Sequence, residues 1–150
     1  MAWVRRRLNR VELRLDRRER EILLRIVDEL RPGLGDDPRT RLHAYDEPSL
    51  DAEYQRYTRP EVEHGRAADI DAVRAALDGS DDRFRLSEDE ALTWIRALNH
   101  LRLVAGARLG IDDDGWEERG DGSLMEREEY AMLVTLGWVQ ENVVAALSPS

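Results

Sequence analysis

Asn99 and Arg102 are the first residues whose type and spacing suggest chemistry, because both stand in a long apolar stretch, Thr93 to Ile111. On a helical wheel of about 100° per residue, Trp94, Leu98, Leu101, Ala105 and Leu109 share one face. Arg102 falls inside that face, between Leu109 and Ile95. Asn99 and Gly106 border it, while Arg96 and His100 point away, toward solvent. A guanidinium so placed does one of two things. It braces packed helices through a carboxylate or carbonyl partner, or it offers its planar fork to an anionic ligand. Partners within reach of a packed helix would be Glu128, Glu129, Glu141, Glu19 or Glu21. The bracing role is the expectation, with Arg102 a structural buried arginine and Asn99 capping or bridging backbone. The alternative is a cleft around Arg102 and Asn99 that holds a small ligand, an anion or a substrate.

A second group is Trp3, Arg5, Arg6, Arg7 and Arg10 at the amino end. Tryptophan beside arginine is the composition of interface hot spots, so these residues are candidates for contact with a partner. Trp116, in a polar stretch, is another. Residues 1–31 carry ten arginines against six acids, while 32–150 carry 13 arginines against 26 acids, for a net charge of −9. A basic head on an acidic body suits charge-guided docking on an acidic protein. It argues against direct nucleic-acid binding, which usually needs a strongly basic domain. The rival account is that an open strand edge is kept charged to prevent aggregation.

Other chemistry finds no support. His43, His64 and His100 have no metal-ligand spacing and lie on separate segments. The loop "DDDGWEERGDGS" is rich in carboxylates but lacks the order of a calcium-binding loop. There is no phosphate-binding glycine loop, dinucleotide fingerprint or nucleophile elbow. No catalytic, cofactor-binding or metal-binding residue is expected, and the chain reads as a non-enzyme without cofactors. It has no cysteine, which excludes disulfides, thiolate metal sites and thiol redox switching within it. All 23 basic residues are arginine, as a GC-rich genome would produce. The apolar runs fall short of the ~20 residues of a membrane span. "MAWVRRRLNR" is followed by no apolar signal region. The expectation is a cytoplasmic protein with no membrane contact.

The elements that must position these residues fit one mainly α domain with a small N-terminal β-hairpin, over residues 1–150. "VELRL" alternates apolar and charged residues as a half-buried strand does, with "WVRRR" as hairpin partner, giving a hairpin over 1–15. Asn9 is suited to the positive φ of the turn. A first helix over 16–31 starts at a capping box, Asp16 with Glu19, and buries Leu23, Ile26, Val27 and Leu30. Residues 38–78 read as short helices broken by prolines and one longer helix, Arg59 to Leu77, with Gly79 as its C-terminal cap. After a short extended "FRL", Ser87 and Glu90 box the start of a central helix over 87–110. An acidic loop spans 111–123, and a last helix spans 124–147. That helix carries Met125, Met132, Leu136, Val139, Val143 and Leu147 on one stripe, and Tyr130, Val134 and Trp138 on a second. Its core partners would be Leu98 and Leu101, with Trp94 and Trp138 as core aromatics.

"WIRALNHLRLVAGARLGI", the capped "FRLSEDEA", "YAMLVTLGWVQENVVAAL", "LDRREREILLRIVDEL" and "DPRTRLHAY" together resemble an actinobacterial family labelled a domain of unknown function. That family is encoded beside the ClpS adaptor gene and includes the AosR-like oxidative-stress regulators. The resemblance covers nearly the whole chain. It implies a helical regulatory or protein-interaction module, related to stress or transcription, with a protein partner from the transcription or proteolysis machinery. A homodimer is compatible with it. The cysteines through which AosR-like regulators sense redox state are missing here, so that role is not implied, and no functional residue carries over.

Overall fold

The computed structural model describes residues 2–33, 59–109 and 128–148. In chain order its elements are β1 (Trp3–Arg7), β2 (Arg10–Arg14), α1 (Arg17–Leu30), α2 (Arg59–Leu77), β3 (Arg83–Leu86), α3 (Glu88–Leu109) and α4 (Glu128–Leu147). A 3-10 turn, Arg31–Gly33, closes α1. The fold is mainly α with a small antiparallel sheet. The loop 111–123, Trp116, Met125 and the proline-broken segment before α2 lie outside the described residues.

Local chemistry sets the helix starts. The Asp16 side chain accepts from the Glu19 N–H at 2.8 Å, and the Glu19 carboxylate accepts from the Asp16 N–H at 3.0 Å. Ser87 and Glu90 repeat this reciprocal box at the head of α3. Each box satisfies two donors that a helix N-terminus otherwise leaves open. At the other end of α1, Gly33 lets the chain pass close to α3, where an added Cβ would stand 2.9 Å from Val104 Cγ1.

The hairpin pairs Trp3 with Arg14, Arg5 with Glu12 and Arg7 with Arg10. Its turn differs from expectation at one residue. Leu8, not Asn9, carries the positive φ (56°), and its side chain is 88% exposed. A leucine in that region costs roughly 1–2 kcal/mol, so the strands and not the turn residue impose the conformation. The extended "FRL" segment belongs to the same sheet: β3 pairs antiparallel with β2, Val11 facing Leu86 and Leu13 facing Phe84. β2 is thus the middle strand.

The inner face of the sheet presents Val11, Leu13, Phe84 and Leu86 to the core. Leu23, Ile26, Val27 and Leu30 of α1 join them, with Ile70, Val73 and Leu77 of α2. α3 and α4 form the largest helix interface among the described elements, where Leu98, Leu101, Leu136 and Val139 are all buried. Phe84 and Trp94 meet with ring centroids 5.6 Å apart at a tilt of 60°. Two expectations need correction here. Trp138 is 42% exposed and Val134 53%, so the second stripe of α4 faces outward and Trp94 alone of the pair is a core tryptophan. Gly79 stands just past the end of α2 as expected, without a left-handed φ. Its N–H reaches the Ala76 carbonyl, and its own carbonyl accepts from Arg20.

Contrary to the expectation that apolar stretches fall short of a span, α4 is long and apolar enough to cross a membrane by length and composition. Its apolar residues are divided. Met132, Leu136, Val139 and Val143 fill the core, and Val134, Trp138 and Val144 are exposed, as on a helix lying against a globular core.

Candidate functional site

Because side chains alternate along a strand, the register fixes what the outer face of the sheet displays. Trp3, Arg5 and Arg7 come from β1, Arg10, Glu12 and Arg14 from β2, and Arg83 and Arg85 from β3. Six arginines and one glutamate therefore share one small surface of a chain whose net charge is −9. Arg5, Arg7, Arg10, Arg83 and Arg85 are exposed and Arg14 is half-buried.

Glu12 is the pivot. It lies at the centre of the middle strand, 7% exposed. Arg5 donates to its Oε2 from Nε and a terminal nitrogen, at 3.2 and 3.1 Å. Arg7 and Arg85 stand 3.9 Å from its Oε1. The Arg5 hydrogen bonds hold the Glu12 carboxyl below the usual carboxylate range, against its loss of solvent, and the charges of Arg5, Arg7 and Arg85 add to them. Water is excluded by guanidiniums that are themselves solvated, so little apolar protein surrounds the carboxylate. Arg5 also lies over the Trp3 ring, 4.5 Å from its centroid, in a cation–π contact. Trp3 is only half-buried, and the stack presents a flat aromatic surface beside the charge.

Arg6 does not belong to this face. It points to the other side, donating to the Leu147 carbonyl at 3.1 Å and to Glu88 at 3.0 Å. It ties the hairpin to the end of α4 and the start of α3, so the expected set Trp3, Arg5, Arg6, Arg7 and Arg10 loses Arg6 and gains Arg14, Arg83 and Arg85. Nothing in the local sequence announces the last two, because they join only through the β2–β3 register.

The Arg102 site is different from its expected form. Arg102 is half-buried and Asn99 is exposed. Arg102 donates to Gln140 Oε1 at 2.6 Å, and Gln140 in turn donates to the Ile95 carbonyl at 3.3 Å. The guanidinium lies over Gly137, where an added Cβ would stand 3.7 Å from it, an ordinary contact. The partner is a neutral amide of α4, not one of the glutamates first considered. Replacing Arg102 by alanine is therefore expected to cost roughly 1.5–3 kcal/mol, the range for a hydrogen bond to a charged group, and not the loss of a buried ion pair. Chemical denaturation of the two proteins checks it, and a loss above roughly 4 kcal/mol would contradict the neutral partner.

Among the described residues the deeply buried arginines are two others, Arg20 and Arg66, 8% and 3% exposed. Arg20 fastens α1 to the connection before β3 through Gly79 and Asp82. Arg66 donates from Nε to His100 Nδ1 at 3.2 Å. His100, expected to face solvent, is instead wedged between α2 and α3 with its Nε2 3.9 Å from Asp69. Burial pushes its pKa down to about 4, Arg66 and Arg96 push the same way, and Asp69 opposes them without winning. Since Nδ1 accepts, the neutral ring carries its proton on Nε2. The sequence signal for this is faint, carried mostly by small residues. Ala97, Val104 and Ala107 are buried on the His100 side of α3, so that helix is covered on two sides.

Among the described residues, no three His, Asp or Glu gather to hold a metal ion. Residues 1–147 match the family described as Domain of unknown function (DUF2017). The chain belongs to the DUF2017 family. No curated protein and no solved structure matches it. For this DUF2017 member the arginine face is the arrangement with the most evident chemical capacity: recognition of an anionic surface through charge, guanidinium forks and one stacked tryptophan.

Proposed function

We propose that this DUF2017 protein is a non-enzymatic, cytoplasmic regulatory module that docks an acidic protein partner on the outer face of its sheet. One observation carries the reading: six arginines around a single carboxylate, on an exposed face of a chain that is otherwise strongly acidic. Such a concentration of like charge opposes folding unless something offsets it. Glu12 offsets part, and an acidic partner offsets the rest while drawing association forward by electrostatic steering. An acidic body favours a partner that meets only this face over a long polyanion that would also meet the body. The resemblance to AosR-like regulators suggests a role in stress or transcription, exercised without thiol chemistry because the chain has no cysteine.

The test reverses Arg14 and Arg83 to glutamate, both on the face and neither bonded to Glu12. Chemical cross-linking in the native cell, followed by affinity capture, is expected to recover an acidic protein with the wild type. At least tenfold less should be recovered with the reversed protein at unchanged melting temperature. Raising salt should slow association of the recovered pair. Equal recovery with both proteins returns the arginines to a purely solubilising role.

A further inference from the structure

At the turn end of the arginine face lies a basin of about 310 Å³, lined by Arg7, Leu8, Asn9, Arg10, Glu12 and Arg85. Its charges are not mutually satisfied. Arg5 takes up Glu12 through Oε2, so that pair is close to neutral. Glu12 Oε1 stands 3.9 Å from both Arg7 and Arg85, beyond hydrogen-bond reach. The carboxylate therefore attracts the two guanidiniums without consuming their N–H groups. Arg10 closes the third side, opposite Arg7 in the register. Three arginines thus line the basin with donors free among the described residues, and with Arg5 they exceed the carboxylates that feel them, Glu12 and Glu90, by about two charges. Leu8 stands at the lip, exposed and held at positive φ, an apolar foot for whatever enters.

The stoichiometry of the basin selects its ligand. A side-chain carboxylate brings one charge and two oxygens, too little for three guanidinium forks. A phosphodiester likewise has one charge and two free oxygens. A phosphate monoester brings about −1.5 to −2 charges and three terminal oxygens, which arginine forks match in pairs. We propose that Arg7, Arg10 and Arg85 clasp a phosphorylated side chain of the docking partner, with Glu12 as the positioning residue that holds the clasp open. This inference rests on the docking reading above and names the group that seats in the face.

The test uses the full chain and three fluorescent acidic peptides of one backbone sequence. One carries a phosphoserine, the second a serine, and the third two glutamates that match the phosphopeptide in charge. Anisotropy titration is expected to show the phosphopeptide binding at least tenfold tighter than the charge-matched peptide. R7Q combined with R85Q, two side chains that are 64% and 68% exposed, should abolish that preference in a folded protein. R14Q combined with R83Q, outside the basin, should weaken all three peptides alike and keep the ratio. Equal affinity for the phosphopeptide and its charge match overturns the phosphoryl site, while weakening of both by R14Q/R83Q leaves docking standing. Failure of every peptide to bind overturns both readings. Inorganic phosphate binding as tightly as the phosphopeptide would make the ligand a free phosphate. A charge-matched single-stranded oligonucleotide that outcompetes the phosphopeptide would make it a nucleic acid.

Discussion

Replacing Leu101 by alanine is expected to destabilise the protein by roughly 3–5 kcal/mol, the range for a leucine deleted from a tight core. Leu101 has no exposed surface, and neither has Leu136 across the interface. The site cannot collapse easily, since α3 is held by α4 on one side and α2 on the other. Against a total stability of about 5–15 kcal/mol for a domain, that loss is large. Val134→Ala, on the exposed side of α4, serves as the control and should change stability by less than about 0.5 kcal/mol. Urea denaturation of the three proteins reads both values. Similar losses for the two substitutions would mean that α4 packs through its other face.

The second large effect is one of pH. His100 is held neutral in the fold, with its pKa near 4, below the ordinary value of 6.5. Between those values the unfolded chain binds a proton that the folded chain refuses, so stability falls as pH falls through that window. From pH 7 to pH 5 this group alone should remove about 2 kcal/mol, most of it below pH 6.5. The depressed carboxylates Glu12, Asp16, Asp28 and Glu90 act lower. Their ordinary values are 4.5 for Glu and 3.8 for Asp, and what they contribute is lost as acid brings them through their still lower folded values. Among the described groups with a shifted pKa, only His100 acts in the window from pH 7 to 5. Denaturation at a series of pH values should show the slope in the wild type and a flatter line in His100→Gln. A His100 resonance titrating above pH 6.5 would show that Asp69 prevails over burial and the two arginines.

What could be read from the sequence was chiefly what is local. Asp16 with Glu19 and Ser87 with Glu90 make their bonds within one turn, so spacing alone suffices. The alternation in "VELRL" needs only two faces, one wet and one dry. Misreadings arose where burial on two sides or a distant partner decides. The wheel of α3 showed one apolar face and sent His100 to solvent, because Ala97 and Ala107 are too small to signal a second packed side. Trp138 lies on a second apolar stripe that the pattern alone sends inward, yet α4 already fills the core with Met132, Leu136, Val139 and Val143. Half of the arginine face was legible as a cluster near Trp3. Arg83 and Arg85 were not, since no local pattern tells that a four-residue segment will lie against β2.

That distant strand has a kinetic meaning. The hairpin closes over a two-residue turn, but β2 and β3 meet only after the chain from Arg14 to Arg83 has been looped back. Closing a loop of that length costs about 4 kcal/mol in chain entropy, recovered only once the core has formed around it. By loop-closure cost the hairpin and α1 are expected to form before β3 joins. The arginine face is complete only when it does. A nascent or partly unfolded chain carries the N-terminal arginines without Arg83 and Arg85 beside them, and so lacks the Arg85 side of the basin. The docking proposed for this face would thereby be restricted to finished molecules, a proofreading supplied by topology with no dedicated residue.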